Sequence, residues 1–125
     1  MNELCTALAD ALRKCAEKWP EKFSVYENGS FGWKDGRSLV WLDMLDNVEN
    51  FSLDHMDTVA AALGYEFDTR RAGIKAHEWL AYKLDAEYFA DEGALYSENV
   101  YSSKREASLA ALYAIITHAL QEDGK

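Results

Sequence analysis

Apolar and polar side chains alternate along residues 79–89, and this alternation predicts an antiparallel β-strand with one half-buried face. Turn-forming residues at 90–93 follow, so residues 95–101 are predicted to return as a partner strand. Residues 76–90 also fit a helical stripe, so a helix stays open as the alternative for this segment. The predicted apolar side of the strand carries Leu80, Tyr82, Leu84, Ala86 and Tyr88.

Three amphipathic segments predict helices at residues 3–18, 53–63 and 103–120. Ser52 and Ser103 are the predicted N-caps, and Glu106 completes a capping box with Ser103. The predicted inward stripes consist of Leu4, Leu8, Leu12, Cys15 and Trp19 in the first helix, Leu53, Met56, Val59, Ala60 and Leu63 in the second, and Leu109, Leu112, Tyr113, Ile116 and Leu120 in the third.

A three-stranded meander is predicted between the first two helices, with strands at residues 23–27, 30–34 and 37–42. Asn28-Gly29 and Asp35-Gly36 are typical of two-residue type I′ loops. Loops of this length place Tyr26 opposite Phe31 and Phe31 opposite Val40.

Both faces of the predicted meander are apolar. One face holds Tyr26, Phe31, Trp33, Val40 and Leu42, and the other holds Phe23, Val25, Gly32, Leu39 and Trp41. The helices are expected to cover both faces, and an exposed interaction surface is the alternative. Residues 43–51 are predicted to be irregular and acidic, and residues 65–76 to be a connector with a basic character.

These elements predict a single α+β domain over residues 1–125, in the order helix, hairpin or meander, helix, hairpin, helix. No apolar run approaches the ~20 residues that span a bilayer, and no signal peptide is evident. Cys5 and Cys15 lie ten residues apart on one helix, so they are expected to be unpaired thiols. The expected compartment is a cytoplasm.

The formal net charge of −9 is unevenly distributed. Residues 38–69 contain no Lys or Arg, and their acidic residues are Asp43, Asp46, Glu49, Asp54, Asp57, Glu66 and Asp68. Solubility alone accounts for such a charge, and a docking surface for a basic partner is the sharper interpretation. Direct binding to nucleic acid is disfavoured, because phosphates would be repelled.

Catalytic chemistry has weak support in the sequence. The three histidines, His55, His77 and His118, are far apart along the chain, and His118 is predicted to be a solvated surface residue. Asp54, His55 and Asp57 form a polar face that is weak as a cation site. A small-ligand or enzyme site around His77 and Tyr82 is the alternative function, and His77-Glu78 supplies its base and carboxylate.

The order of elements resembles the phage ABA-sandwich domain, a family of small bacteriophage and prophage proteins. The resemblance covers residues 30–118 and rests on Trp33-Lys34-Asp35-Gly36, Leu53-Asp54-His55-Met56, Glu78-Trp79 with Tyr82, and residues 102–107 before Leu112. The family has no established common activity. The resemblance implies a viral accessory protein that works inside a bacterium.

Together these observations predict an accessory protein, without catalysis, that binds and inhibits a basic host protein such as a defence or nucleic-acid-processing factor. No cofactor, metal, membrane or nucleic acid is expected to be bound, and a homodimer is left open. The predicted partner-binding residues are Asp43, Asp46, Glu49, Asp54, Asp57, Tyr26, Phe31 and Trp33.

Overall fold

The computed structural model describes residues 2–84 and 94–123 as an α+β fold, as predicted. The elements in chain order are α1 (Asn2–Lys18), β1 (Phe23–Val25), β2 (Ser30–Trp33), β3 (Ser38–Trp41), α2 (Leu45–Glu49), α3 (Leu53–Ala62), β4 (Tyr65–Gly73), β5 (Ala76–Lys83), β6 (Leu95–Tyr96) and α4 (Lys104–Asp123). The strands form two antiparallel sheets, β1-β2-β3 and β4-β5-β6. None of the described helices is long and apolar enough to cross a bilayer.

Helix α4 is the centre of the fold and packs against α1, α3, β4 and β5. The sequence predicted one inward stripe, and Leu109, Leu112 and Ile116 of that stripe are fully buried. Alanines on the remaining sides are buried as well, because small side chains let several elements approach one helix closely. The predicted N-cap is confirmed, since the Ser103 hydroxyl accepts a hydrogen bond from the Glu106 backbone N–H at 3.1 Å.

Helix α1 packs against α4, and it buries both cysteines. Cys5 and Cys15 are unpaired, as predicted. Burial raises the pKa of both thiols, and it raises that of Cys15 to about 12. Both side chains are therefore protonated and pack as small apolar groups.

The first predicted hairpin register is wrong by one residue. Val25, and not Tyr26, lies opposite Phe31, because the loop holds three residues and closes with Tyr26 N–H on the Ser30 carbonyl at 2.8 Å. Gly29 takes the left-handed conformation with φ 84°, and the Asn28 side chain accepts the Ser30 N–H at 3.0 Å. This Asn side-chain bond favours the longer turn over the predicted type I′ loop.

The second hairpin also has a three-residue loop, closed by Trp33 N–H on the Arg37 carbonyl at 3.0 Å. A β-bulge then inserts Leu39 between two pairs, and this restores the predicted pairing of Phe31 with Val40. The shift in the first hairpin places Phe23 on the same face as Phe31, with ring centroids 5.2 Å apart, where the prediction had opposite faces. Phe23, Phe31 and Val40 are buried on that face, whereas Trp41 on the other face is 45% exposed, so the expected cover is incomplete.

The second sheet contains the largest correction to the sequence analysis. Residues 65–76, predicted as a connector, form strand β4 and the turn into β5. Strand β5 is confirmed for Ala76–Lys83, which excludes the helical alternative there, and β6 with a His77–Tyr101 bridge supplies the predicted return. The predicted turn at 90–93, together with Ala86 and Tyr88, lies outside the described residues.

The buried face of β5 is also the reverse of the predicted one. Trp79 and Ala81 are buried toward α4, whereas Leu80 and Tyr82 lie on the opposite face and are half-buried. Side chains alternate between the two faces of a strand. Predicting the wrong buried face therefore exchanged the buried and the more exposed positions along the strand. The face that carries Leu80 and Tyr82 is the one that remains open.

Candidate functional site

The predicted acidic residues divide between two regions. Asp43 lies beside α1, where its carboxylate accepts a hydrogen bond from Arg13 Nη2 at 2.8 Å. Asp46 and Glu49 belong to α2. Asp54 and Asp57 belong to α3 and are exposed. The charges that act on Asp57 come from α3, β4 and Lys104, not from the α2 region, so the predicted set does not form one surface.

The predicted aromatic residues are part of the first sheet's packing. Phe31 is 0% exposed, so its assignment to a partner-binding surface is wrong. Trp33 is half-buried and stacks on Phe23 with ring centroids 5.3 Å apart. The Tyr26 hydroxyl donates to the Trp33 carbonyl, which ties the tyrosine to its own hairpin.

A different surface combines acidic and apolar side chains, on the side of the second sheet that faces away from α4. We call it the outer face. The strand register places Glu66 opposite Tyr82, and Asp68 opposite Leu80. Leu80 in turn lies opposite Tyr96, which is 60% exposed. The residues of the outer face are Glu66, Asp68, Arg70, Glu78, Leu80, Tyr82 and Tyr96.

Helix α3 adds two further carboxylates to one end of this face. Burial raises the pKa of Asp57, and the negative charges of Asp54, Asp68 and Glu66 raise it further. Partial burial raises the pKa of the Tyr82 phenol, and the same two β4 carboxylates, one of which is hydrogen-bonded to it, raise this pKa further. The raised pKa of Asp57 shows that Asp54, Asp68 and Glu66 lie close enough to repel its carboxylate, so a cation placed beside Asp57 would be stabilised.

The other end of the outer face is electrically balanced. Arg70 Nε donates to Glu78 Oε2 at 2.8 Å across the β4–β5 pair. The uncompensated negative charge is therefore confined to the half that contains Glu66, Asp68 and the α3 acids.

The alternative site around His77 and Tyr82 is divided by the sheet. These residues lie five positions apart on β5, so their side chains are on opposite faces. The same argument separates His77 from its neighbour Glu78, which instead bonds to Arg70. The predicted base and carboxylate therefore do not form one site.

A polar cluster that the sequence analysis missed joins the end of α4 to the second sheet. The buried Tyr65 hydroxyl lies 2.7 Å from His118 Nδ1 and 3.2 Å from Glu122 Oε2, and Lys83 Nζ donates to Glu122 Oε1 at 2.7 Å. The predicted solvated position of His118 is thus wrong. Tyr65 was hidden because its strand was not predicted, and only strand β4 brings it to α4.

Lys83 is the main cause of a lowered pKa at Glu122, through its hydrogen bond to that carboxylate. A lowered folded-state pKa means that this interaction stabilises the fold above the unfolded-state pKa of glutamate, and that the contribution is lost as the pH falls. The cluster therefore fastens α4 to β4 and β5 most firmly at neutral pH.

Replacing Tyr65 by Phe should lower the free energy of unfolding by about 1–2 kcal/mol, because it leaves His118 and Glu122 without their phenol partner. Chemical denaturation at neutral pH measures the change. Tyr113→Phe is the matched control, because its hydroxyl makes no hydrogen bond within the described part of the chain. Equal losses in the two variants would show that the cluster contributes nothing.

A groove of about 650 Å³ lies between α4 and the β5–β6 side of the second sheet. Its walls include Trp79, Leu95, Tyr101, Tyr113 and His118. Within the described residues, the Trp79 indole Nε1–H is buried and has no hydrogen-bond partner. A buried donor without an acceptor is unusual, so this groove is a second candidate site.

The structure gives no support for a metal site in the residues that it describes, where no three His, Cys, Asp or Glu side chains converge suitably. Asp54, His55 and Asp57 share one helix without forming such a group. Comparison of the chain with known protein families, curated proteins and solved structures finds no match.

Proposed function

We propose that this protein is a non-catalytic accessory protein that binds a basic protein partner on the outer face and the adjoining α3 acids. The observation that carries the proposal is that one open sheet face places two tyrosine rings beside carboxylates. The residues opposite these carboxylates in the neighbouring strand are not basic. Tyr82 and Tyr96 offer contact area, and Glu66 and Asp68 lie in the same rows of the sheet.

The charge distribution supports a basic partner. Four carboxylates meet at this end of the face, from Asp54, Asp57, Glu66 and Asp68, and Lys104 is the base whose charge acts on Asp57. Lysine or arginine side chains would relieve the mutual repulsion that raises the pKa of Asp57. Such complementarity accelerates association and selects against acidic partners.

The apolar side chains of the outer face supply contact area, and with it binding energy, that charged groups alone do not provide. Leu80 and Tyr82 are half-buried, and Leu84, directly after β5, is 51% exposed. Aromatic side chains at the centre of an interface contribute most of its binding energy, with charged groups around them. Inhibition of a host defence or nucleic-acid-processing factor is the form of this activity that the phage-family resemblance favours.

The proposal is tested by mapping a basic probe onto the protein by NMR. An arginine-rich peptide with interspersed phenylalanines should shift the backbone amides of Glu66, Asp68 and Tyr82 and the ring signals of Tyr96. The same peptide with citrulline in place of arginine keeps the shape and removes the charge, so it should bind much more weakly. Amides of Asp43 and Asp46, on the other acidic region, serve as the internal control.

Shifts centred on Asp43 and Asp46 would contradict the proposed site, because they would place the cation on the α2 region. Equal binding of the citrulline peptide would contradict the basic partner. Weak shifts of similar size at all acidic residues would mean that the peptide responds only to the net charge, and this would also contradict the proposed site.

Binding of a small planar ligand in the groove beside α4 is the second candidate function. The unpartnered Trp79 Nε1–H favours it, since a ligand acceptor oxygen would satisfy that donor. Benzamide, used as the probe, should shift the Trp79 indole Hε1 resonance, and Thr117→Trp should block the groove and abolish the shift. An unchanged Hε1 resonance at saturating benzamide would remove this candidate.

A further inference from the structure

Strand β4 is an edge strand, and no other strand of the described chain pairs with its outer edge. It is nine residues long, whereas the edge strands of the first sheet, β1 and β3, have three and four residues. Long edges offer backbone groups to a further strand unless something covers them. The far half of β4 is exposed from Arg70 to Gly73.

The alternation of backbone hydrogen bonds along β4 identifies the residues whose N–H and C=O groups face that edge. Leu84 N–H donates to the Gly64 carbonyl at 2.9 Å, at the start of the β4–β5 ladder. Bonded pairs recur at every second residue, so Glu66, Asp68 and Arg70 use their backbone groups toward β5. The N–H and C=O groups of Phe67, Thr69 and Arg71 consequently point to the open edge.

The charges along β4 are self-complementary. The first half carries Glu66 and Asp68, and the second half carries Arg70 and Arg71. An antiparallel second copy with Thr69 on the twofold axis would place Asp68 opposite Arg70 of that copy, and the symmetry would repeat the pair. This would be a non-hydrogen-bonded pair, with Cα atoms about 4.5 Å apart, where side chains interact most closely.

The charge pattern also disfavours the neighbouring registers. With Asp68 on the axis, the two Asp68 side chains face each other, and with Arg70 on the axis, the two arginines do. Like charges directly opposite one another destabilise a strand pair. With Asp68 on the axis, Glu66 would also lie opposite Arg70 of the second copy, so among these registers only the one centred on Thr69 pairs opposite charges without setting like charges opposite each other.

We propose that two copies of this chain associate through β4, with Thr69 on the twofold axis, to form one continuous six-stranded sheet. This inference goes beyond the proposed function, since it concerns backbone pairing along the edge of the sheet. The dimer pairs Asp68 with Arg70, which also belong to the outer face, and it does not involve Tyr82 or Tyr96. It would also bring the second copy's Arg70 and Arg71 toward the acids that surround Asp57.

Sedimentation velocity over a concentration series tests the association. The wild-type chain should show a concentration-dependent dimer. Arg70→Asp should weaken dimerisation by about tenfold or more, because the carboxylate of Asp68 in each copy would then face a second carboxylate. Asp68→Arg with Arg70→Asp restores opposite charges and should restore the dimer. Lys34→Asp, which makes the same charge change on an exposed residue of the β2–β3 loop, is the matched control and should dimerise like wild type.

A cysteine scan tests the register independently of charge. Thr69→Cys should form a disulfide-linked dimer under mild oxidation, because the two Cα atoms at the axis would lie about 5.5 Å apart. Ala72→Cys should not, because the same register separates its two copies by about 20 Å. Circular dichroism confirms that each variant is folded, and the buried Cys5 and Cys15 stay protected.

A wild-type chain that stays monomeric up to millimolar concentration would overturn the inference. So would a dimer that survives Arg70→Asp unchanged, or one that crosslinks at Ala72→Cys as readily as at Thr69→Cys. Binding of the arginine-rich peptide to the Arg70→Asp monomer separates this result from the proposed function, because that variant keeps all four acids of the binding surface.

Discussion

Leu112→Ala is expected to lower the free energy of unfolding by about 2–5 kcal/mol, the cost of truncating a fully buried leucine. Leu112 is 0% exposed and lies at the middle of α4, which contacts α1, α3 and the second sheet. The cavity would therefore open where four elements meet, and none of them can move inward without disturbing the others. Urea denaturation followed by far-UV circular dichroism measures the change.

Leu84→Ala is the matched control for this prediction. Leu84 is 51% exposed, so the same chemical change should cost less than about 0.5 kcal/mol. Comparable losses in the two variants would mean that α4 is not the centre of the core.

Gly32→Ala is expected to have the second largest effect, a loss of about 3 kcal/mol from overpacking against fixed backbone. An added Cβ at Gly32 would collide with the Arg37 carbonyl oxygen and lie 2.8 Å from the Ser38 Cα. The two atoms lie at the start of the bulged β3 strand and in the residue just before it, so relief requires that the β2–β3 pair separate. Thermal and chemical denaturation should both report the loss.

Gly36→Ala distinguishes steric collision from backbone strain. Gly36 has φ 99° with nothing within 4 Å of an added Cβ, so alanine there should cost only about 1–2 kcal/mol. If Gly36→Ala proves the more damaging of the two, the bulge does not bring β3 as close to Gly32 as the structure indicates.

Local patterns in the sequence predicted α1, α3 and α4, because a helical period marked each of them and a serine cap marked the start of α3 and α4. Helix α2, Leu45–Glu49, was missed, since residues 43–51 were predicted to be irregular. Ser52 and Ser103 cap α3 and α4 as expected. Strand β4 was missed because only Tyr65 and Phe67 alternate with acids before the pattern turns into Thr69-Arg70-Arg71. Its pairing with β5 provides the hydrogen bonds that make this segment a strand, and that pairing is nonlocal.

The candidate site could be predicted only in part, for the same reason. The absence of bases from residues 38–69 drew attention to Asp54 and Asp57, which adjoin the outer face. The sequence could not show that Glu66 and Asp68 lie beside Tyr82, because that proximity depends on the β4–β5 register. It also could not assign β5 its buried face, since apolar residues occur on both sides of that strand.

The central claim is that the acids of the outer face, and not the net charge, attract the partner. Two variants separate these causes by removing four negative charges each. The outer-face variant carries Asp54→Asn, Asp57→Asn, Glu66→Gln and Asp68→Asn, and the remote variant carries Glu27→Gln, Asp43→Asn, Asp46→Asn and Glu49→Gln. Both keep the apolar side chains of the outer face.

The deciding measurement is the association rate of the arginine-rich peptide with each variant, by stopped-flow fluorescence over a range of salt concentrations. The outer-face variant should associate about tenfold more slowly than wild type at low salt, with a flatter salt dependence, because its local potential is removed. The remote variant should retain most of the wild-type rate and its salt dependence. Equal slowing in the two variants would contradict the assignment of binding to the outer face.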